Sequence, residues 1–237
     1  NKTIKDIYDG IQGLEYEINT MYTSNGQTPF VTLGYGLGTS LWEREIQKAI
    51  MNVRIKGLGK ERRTAIFPKL VFFLEDGINL KETDPNYDIK QLAIKCATER
   101  MYPDVISAKR LRELTGGGVR TPMGCRSFLQ TWLDKNGEEV NSGRMNLGVV
   151  TLNLPRIAIE AEGDQDTFWE ILEERIEVAR EALVFRVERA KESKPKNAPI
   201  LYMHGAWGRL ESGDSVDDLF KDKRATISLG YIGLYEV

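Results

Sequence analysis

The chain has 237 residues, 41% hydrophobic and 29% charged, an ordinary globular balance with room for one large domain or two small ones. Its net charge of −2 gives no broad electrostatic reason to bind nucleic acid or an anionic membrane. No apolar run reaches the roughly 18–20 residues of a membrane span, the start has no signal-peptide pattern, and two cysteines make no disulfide framework, so a reducing cytoplasm is the expected setting.

In chain order, Ile4, Ile7, Ile11, Leu14, Ile18 and Met21 recur at helical spacing, which predicts a helix over 3–23 ended by the Ser24-Asn25-Gly26 turn. Pro29–Tyr35 reads as a buried strand. The following GYGLGTS only loosely resembles a dinucleotide loop; its expected task is to turn the chain into a helix over Leu41–Lys56, with Thr39 or Ser40 as N-cap and Ile46, Ala49, Ile50 and Val53 inward. Arg54, Lys56, Lys60, Arg62 and Arg63 read as a solvated, dipole-favoured helix end rather than a phosphate site. Ala65–Leu74 is almost continuously apolar, as a strand covered on both faces should be. A helix over Asp88–Met101 should bury Cys96.

Further on, Gly148–Leu154 is a strand candidate, and Pro155 suits the first turn of a short helix after Asn153. Asp164–Glu192 should be the longest helix, with Phe168, Leu172, Ile176, Ala179, Leu183 and Val187 as its apolar stripe. KPKNA at 194–198 breaks it. Strands over Pro199–Met203 and Ala225–Tyr231, with a short acidic helix near Val216–Phe220, complete the alternation. This is an α/β pattern with mostly parallel pairing, without internal repeat or linker, and is taken as one domain.

The single histidine narrows the chemistry. Cys96, Cys125 and His204 stand alone, without the clustered ligands of a zinc site, so no metal site is expected. Nothing local supports a Cys125–His204 protease pair, and no phosphate-binding G-x-x-x-x-G-K-[ST] loop occurs. The stretch TGGGVRTPMGCRSFL at 115–129 is distinctive. Gly116, Gly117, Gly118, Pro122 and Gly124 cannot continue a helix or strand, and bulky residues follow at once, so Cys125 sits on a loop expected to dip into a core. On composition alone Cys125 is either a reactive thiol or one more buried small hydrophobe.

TPMGCRSFL, followed by GRMNLGVVTLNLPRIAIEA at 143–161, resembles the active-site region of the anaerobic (class III) ribonucleoside-triphosphate reductases, glycyl-radical enzymes of deoxynucleotide synthesis. NTMYTSNGQTPFVTLGYG, AIFPKLVFFLEDGINL, IKCATERMYPD, APILYMHGA and ATISLGYIGLYE resemble further blocks of that family, in order. Against the family pattern the chain lacks the amino-terminal ATP-cone region, the first part of the catalytic domain, the carboxy-terminal zinc-binding cysteine pairs and the glycine-radical loop. It is therefore expected to be a fragment, inactive alone.

The resemblance implies part of the ten-stranded α/β barrel of glycyl-radical enzymes and ribonucleotide reductases, with Cys125 on a central finger loop. It implies that Cys125 becomes the thiyl radical that activates the substrate and that Asn146 hydrogen-bonds the ribose hydroxyls; alone, Asn146 reads as a turn residue before a strand. Met123 and Ser127 match positions lining the same pocket, though packing and a loop hydrogen bond are equally available roles. Arg126 is left unassigned, as is the backbone around Ser228–Gly230, which could approach phosphates. The implied cofactors are a glycyl radical, generated by an S-adenosylmethionine/iron-sulfur activating enzyme, and zinc, both in regions outside this sequence. The implied partners are a ribonucleoside triphosphate, nucleotide effectors, formate as reductant, the radical-SAM activating enzyme and a second subunit in a homodimer. A formate-lyase-like glycyl-radical enzyme is disfavoured by the absence of a second cysteine beside Cys125. A non-catalytic α/β nucleotide-binding or interaction module is the alternative from another class.

Overall fold

The computed structural model describes residues 2–22, 26–123 and 128–237, and the chain divides into two units, 1–128 and 129–237. Cys125 and Ser127, and with them the centre of the expected finger loop, lie outside the described residues. Among the described residues no helix is long and apolar enough to cross a membrane.

In the first unit, helices and strands alternate: α1 (Lys2–Thr20), β1 (Thr32–Tyr35), α2 (Leu41–Lys56), β2 (Lys69–Leu74), α3 (Tyr87–Arg100), β3 (Asp104–Ser107) and α4 (Ala108–Thr115). The strands form one parallel sheet in the order β1-β2-β3, with Thr32 opposite Lys69 and Val71 opposite Asp104. Parallel neighbours need crossovers, and α2 and α3 supply them. The apolar run of β2 follows from this placement. Phe72 packs with Met51, Ile89, Ala93 and Cys96 from the crossover helices, while Val71 and Phe73 pack with Ala108 and Leu111 of α4. Both faces are dry, so no polar alternation survives.

The strand starts later than Ala65 for a local reason. Pro68 offers no N–H to a ladder, and the backbone before it is taken by Asn19, whose Oδ1 accepts from the N–H of Ile66 (3.1 Å) and Phe67 (3.2 Å). The GYGLGTS loop has a structural task, as its sequence suggests. Asn79 Nδ2 donates to the carbonyls of Gly36 and Phe73, and Asn86 Nδ2 to those of Gly36 and Gly38; both side chains are buried. Gly36 has φ +124°, and a Cβ there would lie 2.6 Å from the Phe73 carbonyl, so the glycine serves close strand approach. Ser40 is the N-cap of α2, where its N–H and hydroxyl both donate to the Glu43 carboxylate and hold that carboxyl below its ordinary range.

The expected solvated cluster needs correction at Arg54, which is fully buried. Its Nε donates to Glu15 Oε1 (2.9 Å) and its Nη2 to the Pro68 carbonyl (2.7 Å). The inward line of α1 is accordingly centred on Glu15 and Ile18, with Leu14 and Met21 exposed. A single long side chain thus ties α1, α2 and the entry to β2 together, whereas Lys60, Arg62 and Arg63 are exposed as expected. Ile46, expected inward, is 40% exposed, because the buried face of α2 runs through Gln47, Ile50 and Arg54.

The second unit contains β4 (Trp132–Leu133), β5 (Glu139–Val140), β6 (Met145–Asn153), α5 (Leu154–Glu160), α6 (Gln165–Lys191), α7 (Pro199–Tyr202) and β7 (Ala225–Ile232), with short 3-10 turns at Pro195–Asn197 and Asp217–Phe220. β4 and β5 form an antiparallel hairpin closed by Asp134, whose Oδ1 accepts from the N–H of Asn136 and Glu138. β6 and β7 pair in parallel. Asn153 caps α5 and Asp164 caps α6, each side chain accepting from the backbone N–H three residues on.

Pro199–Met203 is helical rather than extended. Pro199 occupies the first turn, and the N–H groups of Tyr202 and Met203 bond to the carbonyls of Ala198 and Pro199 instead of a neighbouring strand. A four-residue apolar run carries no period that separates helix from strand. Tyr202 then packs with Trp207, Val216 and Leu219, and Met145, Leu147 and Ala225 lean on that cluster. Of the α6 stripe only Ala179 and Leu183 are buried, and Ile176 is exposed.

Two tests follow. Neither Glu15 Oε2 nor Arg54 Nη1 has a hydrogen-bond partner among the described residues, so the buried pair is incompletely satisfied. Arg54→Met should cost about 3–5 kcal/mol in denaturant unfolding, and adding Glu15→Leu should recover most of that loss. Burial pushes the Cys96 thiol up from its ordinary 9.0 to about 11. It should resist a sulfhydryl reagent in the native chain at pH 8 and react after unfolding. Because the fold favours the neutral thiol, its contribution to stability is complete below pH 9.0 and is lost as pH rises toward 11.

Candidate active site

Strand β6 is longer by one residue than the segment of β7 it matches. Asn146 pairs with Thr226 but Val149 pairs with Ser228, so three steps on one strand face two on the other. The extra residue makes a β-bulge, a device that bends a strand and re-aims a side chain. Gly148 lies in it at φ +146°, a conformation that residues with a Cβ rarely adopt, and an added Cβ would also meet the Arg186 guanidinium at 2.0 Å.

Side chains alternate on either side of the paired strands. Val150 and Leu152 line one groove with Val178, Ala179 and Ala182 of α6. The opposite face carries Asn146, Thr151, Thr226 and Ser228, with the exposed Val149 beside Ser228 and Gly230 opposite Thr151. Thr151 is exposed there, while Asn146 and Ser228 are half-buried. The sheet thus has one apolar face, covered at β6 by α6, and one mostly polar face.

Asn146 meets Ser228 beside the bulge. Asn146 Nδ2 donates to Ser228 Oγ at 2.6 Å, and Asn146 Oδ1 accepts from the Gly148 N–H at 3.0 Å. The second bond is the local side-chain-to-backbone link expected of an asparagine that shapes its own turn. The first crosses to the neighbouring strand. An amide has two N–H donors and two acceptor lone pairs, so one N–H and one lone pair remain for a ligand. The Thr226 hydroxyl is directed at the Met145 carbonyl at 3.4 Å.

Of the candidate residues, Asn146 is thus held in a defined geometry on the second unit. Met123 ends a described segment of the first unit and is 41% exposed. Cys125 and Ser127 are outside the described residues. Cys96, the other thiol, is fully buried and points at the Met51 carbonyl (3.7 Å), without access for a substrate. Ser228 was missed as a side chain by sequence reasoning. Its signal lies in ATISLGY, where Thr226 and Ser228 alternate with Ile227 and Leu229 and so share a face. Among the described residues no three His, Cys, Asp or Glu side chains gather as a metal site requires. They do not fit a zinc ion.

Compared with known proteins, the family described as anaerobic ribonucleoside-triphosphate reductase matches residues 1–237. The chain is 58% identical over 237 residues to the anaerobic ribonucleoside-triphosphate reductase of Escherichia coli strain K12, covering 100% of this chain and 33% of that protein. It is 54% identical over 243 residues to the enzyme of the same name from Enterobacteria phage T4, covering 100% of this chain and 40% of that protein. The chain therefore spans 33% and 40% of the lengths of these two relatives. Its fold is similar to that of the crystal structure of the anaerobic ribonucleotide reductase from Thermotoga maritima with citrate in the active site. That match has a TM-score of 0.59 and 20% identity, over 99% of this chain and 41% of that one. The mixed α/β architecture with parallel sheets thus matches part of that reductase fold, and the chain belongs to the anaerobic ribonucleoside-triphosphate reductase family.

Proposed function

We propose that this chain is the central catalytic segment of an anaerobic ribonucleotide reductase, which converts ribonucleoside triphosphates to deoxyribonucleoside triphosphates for DNA synthesis. The observation that carries the reading is the Asn146 amide, fixed on the polar face of β6 and β7 with one donor and one acceptor unspent. A neutral amide recognises two adjacent hydroxyls without bringing charge into a site that must exclude water.

Replacing the hydroxyl at ribose C2′ first requires loss of the hydrogen atom at C3′. Acid–base side chains move protons and cannot take a hydrogen atom. In the proposed step the Cys125 thiyl does so: the C3′–H bond breaks, an S–H bond forms, and the unpaired electron passes from sulfur to carbon. The two bonds are of similar strength, so the transfer reverses when the product radical reclaims the hydrogen. Asn146 orients the ribose for the transfer, and Met123 and Ser127 line the pocket. The pKa of Cys125 is secondary, because the reactive species is a radical and not a thiolate.

A glycyl radical held elsewhere in the whole enzyme supplies the unpaired electron, the part usually left to a cofactor in radical chemistry. Formate as reductant, nucleotide effectors, a radical-SAM activating enzyme, a zinc site elsewhere in the protein and a homodimeric assembly in the cytoplasm complete the proposal for the whole protein.

Cys125→Ser in the full-length enzyme tests it. The O–H bond is too strong to exchange hydrogen with a glycyl radical at a useful rate. The glycyl signal should therefore still form, seen by electron paramagnetic resonance, while nucleotide reduction falls below detection. Cys96→Ser should keep its activity. Appreciable reduction by Cys125→Ser would move the radical role to another residue.

A further inference from the structure

We propose that Ser228 is a positioning residue that fixes the Asn146 amide for substrate recognition, an inference that rests on the ribose-binding reading of Asn146. A terminal amide is held only by what its two ends bond to, and its torsion is otherwise broad. At one end the Gly148 N–H can only donate, so it takes Oδ1 and decides which way the amide faces. At the other end Ser228 Oγ accepts from Nδ2 at 2.6 Å. Both bonds together leave the amide a single orientation, with the same N–H and the same lone pair always free.

The pairing lies at the bulge. Thr226 is the register partner of Asn146, but its hydroxyl is directed at the Met145 carbonyl. The next β7 position of the same face, Ser228, meets the amide diagonally. Without the hydroxyl, Asn146 keeps only its local bond to Gly148, enough to hold the turn but not the amide plane.

The test uses the full-length enzyme with Asn146→Ala, Ser228→Ala, Ser228→Thr and the double alanine variant. Turnover and KM for a ribonucleoside triphosphate are measured against glycyl-radical content. Losing one orienting hydrogen bond in a dry site should lower kcat of Ser228→Ala about tenfold, with KM within about threefold and radical content unchanged. Ser228→Thr retains the hydroxyl and should recover to within about threefold of wild type. Because Ser228 acts through Asn146, the double variant should be no slower than Asn146→Ala alone.

If Asn146→Ala is impaired while Ser228→Ala turns over normally, or if the two losses multiply in the double variant, the positioning role is wrong. If Asn146→Ala itself turns over normally per folded molecule, the ribose-binding reading fails and takes this inference with it. Should Ser228→Ala not fold, Ser228→Cys keeps the size with a weak acceptor, and normal turnover by that variant would likewise overturn the role.

Discussion

Between Asn146 and Val149 strand β6 carries one residue more than the stretch of β7 it pairs with, and the Asn146 side chain closes the gap by accepting from the Gly148 N–H. A buried or half-buried strand cannot leave backbone donors idle, so an irregularity in a parallel ladder must be satisfied locally. Here the group that satisfies it is also the one proposed to meet the ribose. Past the bulge the register resumes, Val150 and Leu152 return to the helix side and Thr151 to the polar side. The same local bond therefore lies where the strand shifts register and where the candidate site is shaped.

The first unit has a different governing constraint. A central parallel strand is covered on both faces, so β2 is apolar throughout, and the polar groups at its ends must be met by side chains from elsewhere. Asn19 meets the backbone before β2, and Asn79 and Asn86 meet the carbonyls of the loop after β1. Arg54 reaches the Pro68 carbonyl while paired with Glu15. Burial outweighs the attraction of Arg54 at Glu15, whose carboxyl is raised above its ordinary value. The pair serves connection of α1 to α2 more than net stabilisation.

The elements legible in the sequence were those whose pattern comes from burial. The apolar run of β2 and the α2 helix from Leu41 to Lys56 carry such a pattern, and Pro155 and the helical spacing after Asp164 mark α5 and α6. Arg54 did not, because a charge in a basic run reads as solvated unless its distant partner Glu15 is known. Pro199–Met203 did not, because four apolar residues show no period. The β3 strand, α4 and the β4–β5 hairpin were passed over although Ser107 and the Asp134–Gly137 turn carry signals for two of them. The family resemblance pointed to Asn146, but its bond to Ser228 depends on register between strands far apart in the chain, which no local pattern encodes.

The account turns on the polar face of β6 and β7 being where the ribose binds. A crystal structure of the full-length protein with a ribonucleoside triphosphate bound tests this most directly. The account predicts the ribose hydroxyls within hydrogen-bonding distance of Asn146, with its amide still bonded to Ser228 and Gly148, and the Cys125 sulfur in contact with ribose C3′. A ribose bound away from β6 and β7, with Asn146 bonded only to its own strand, would contradict it.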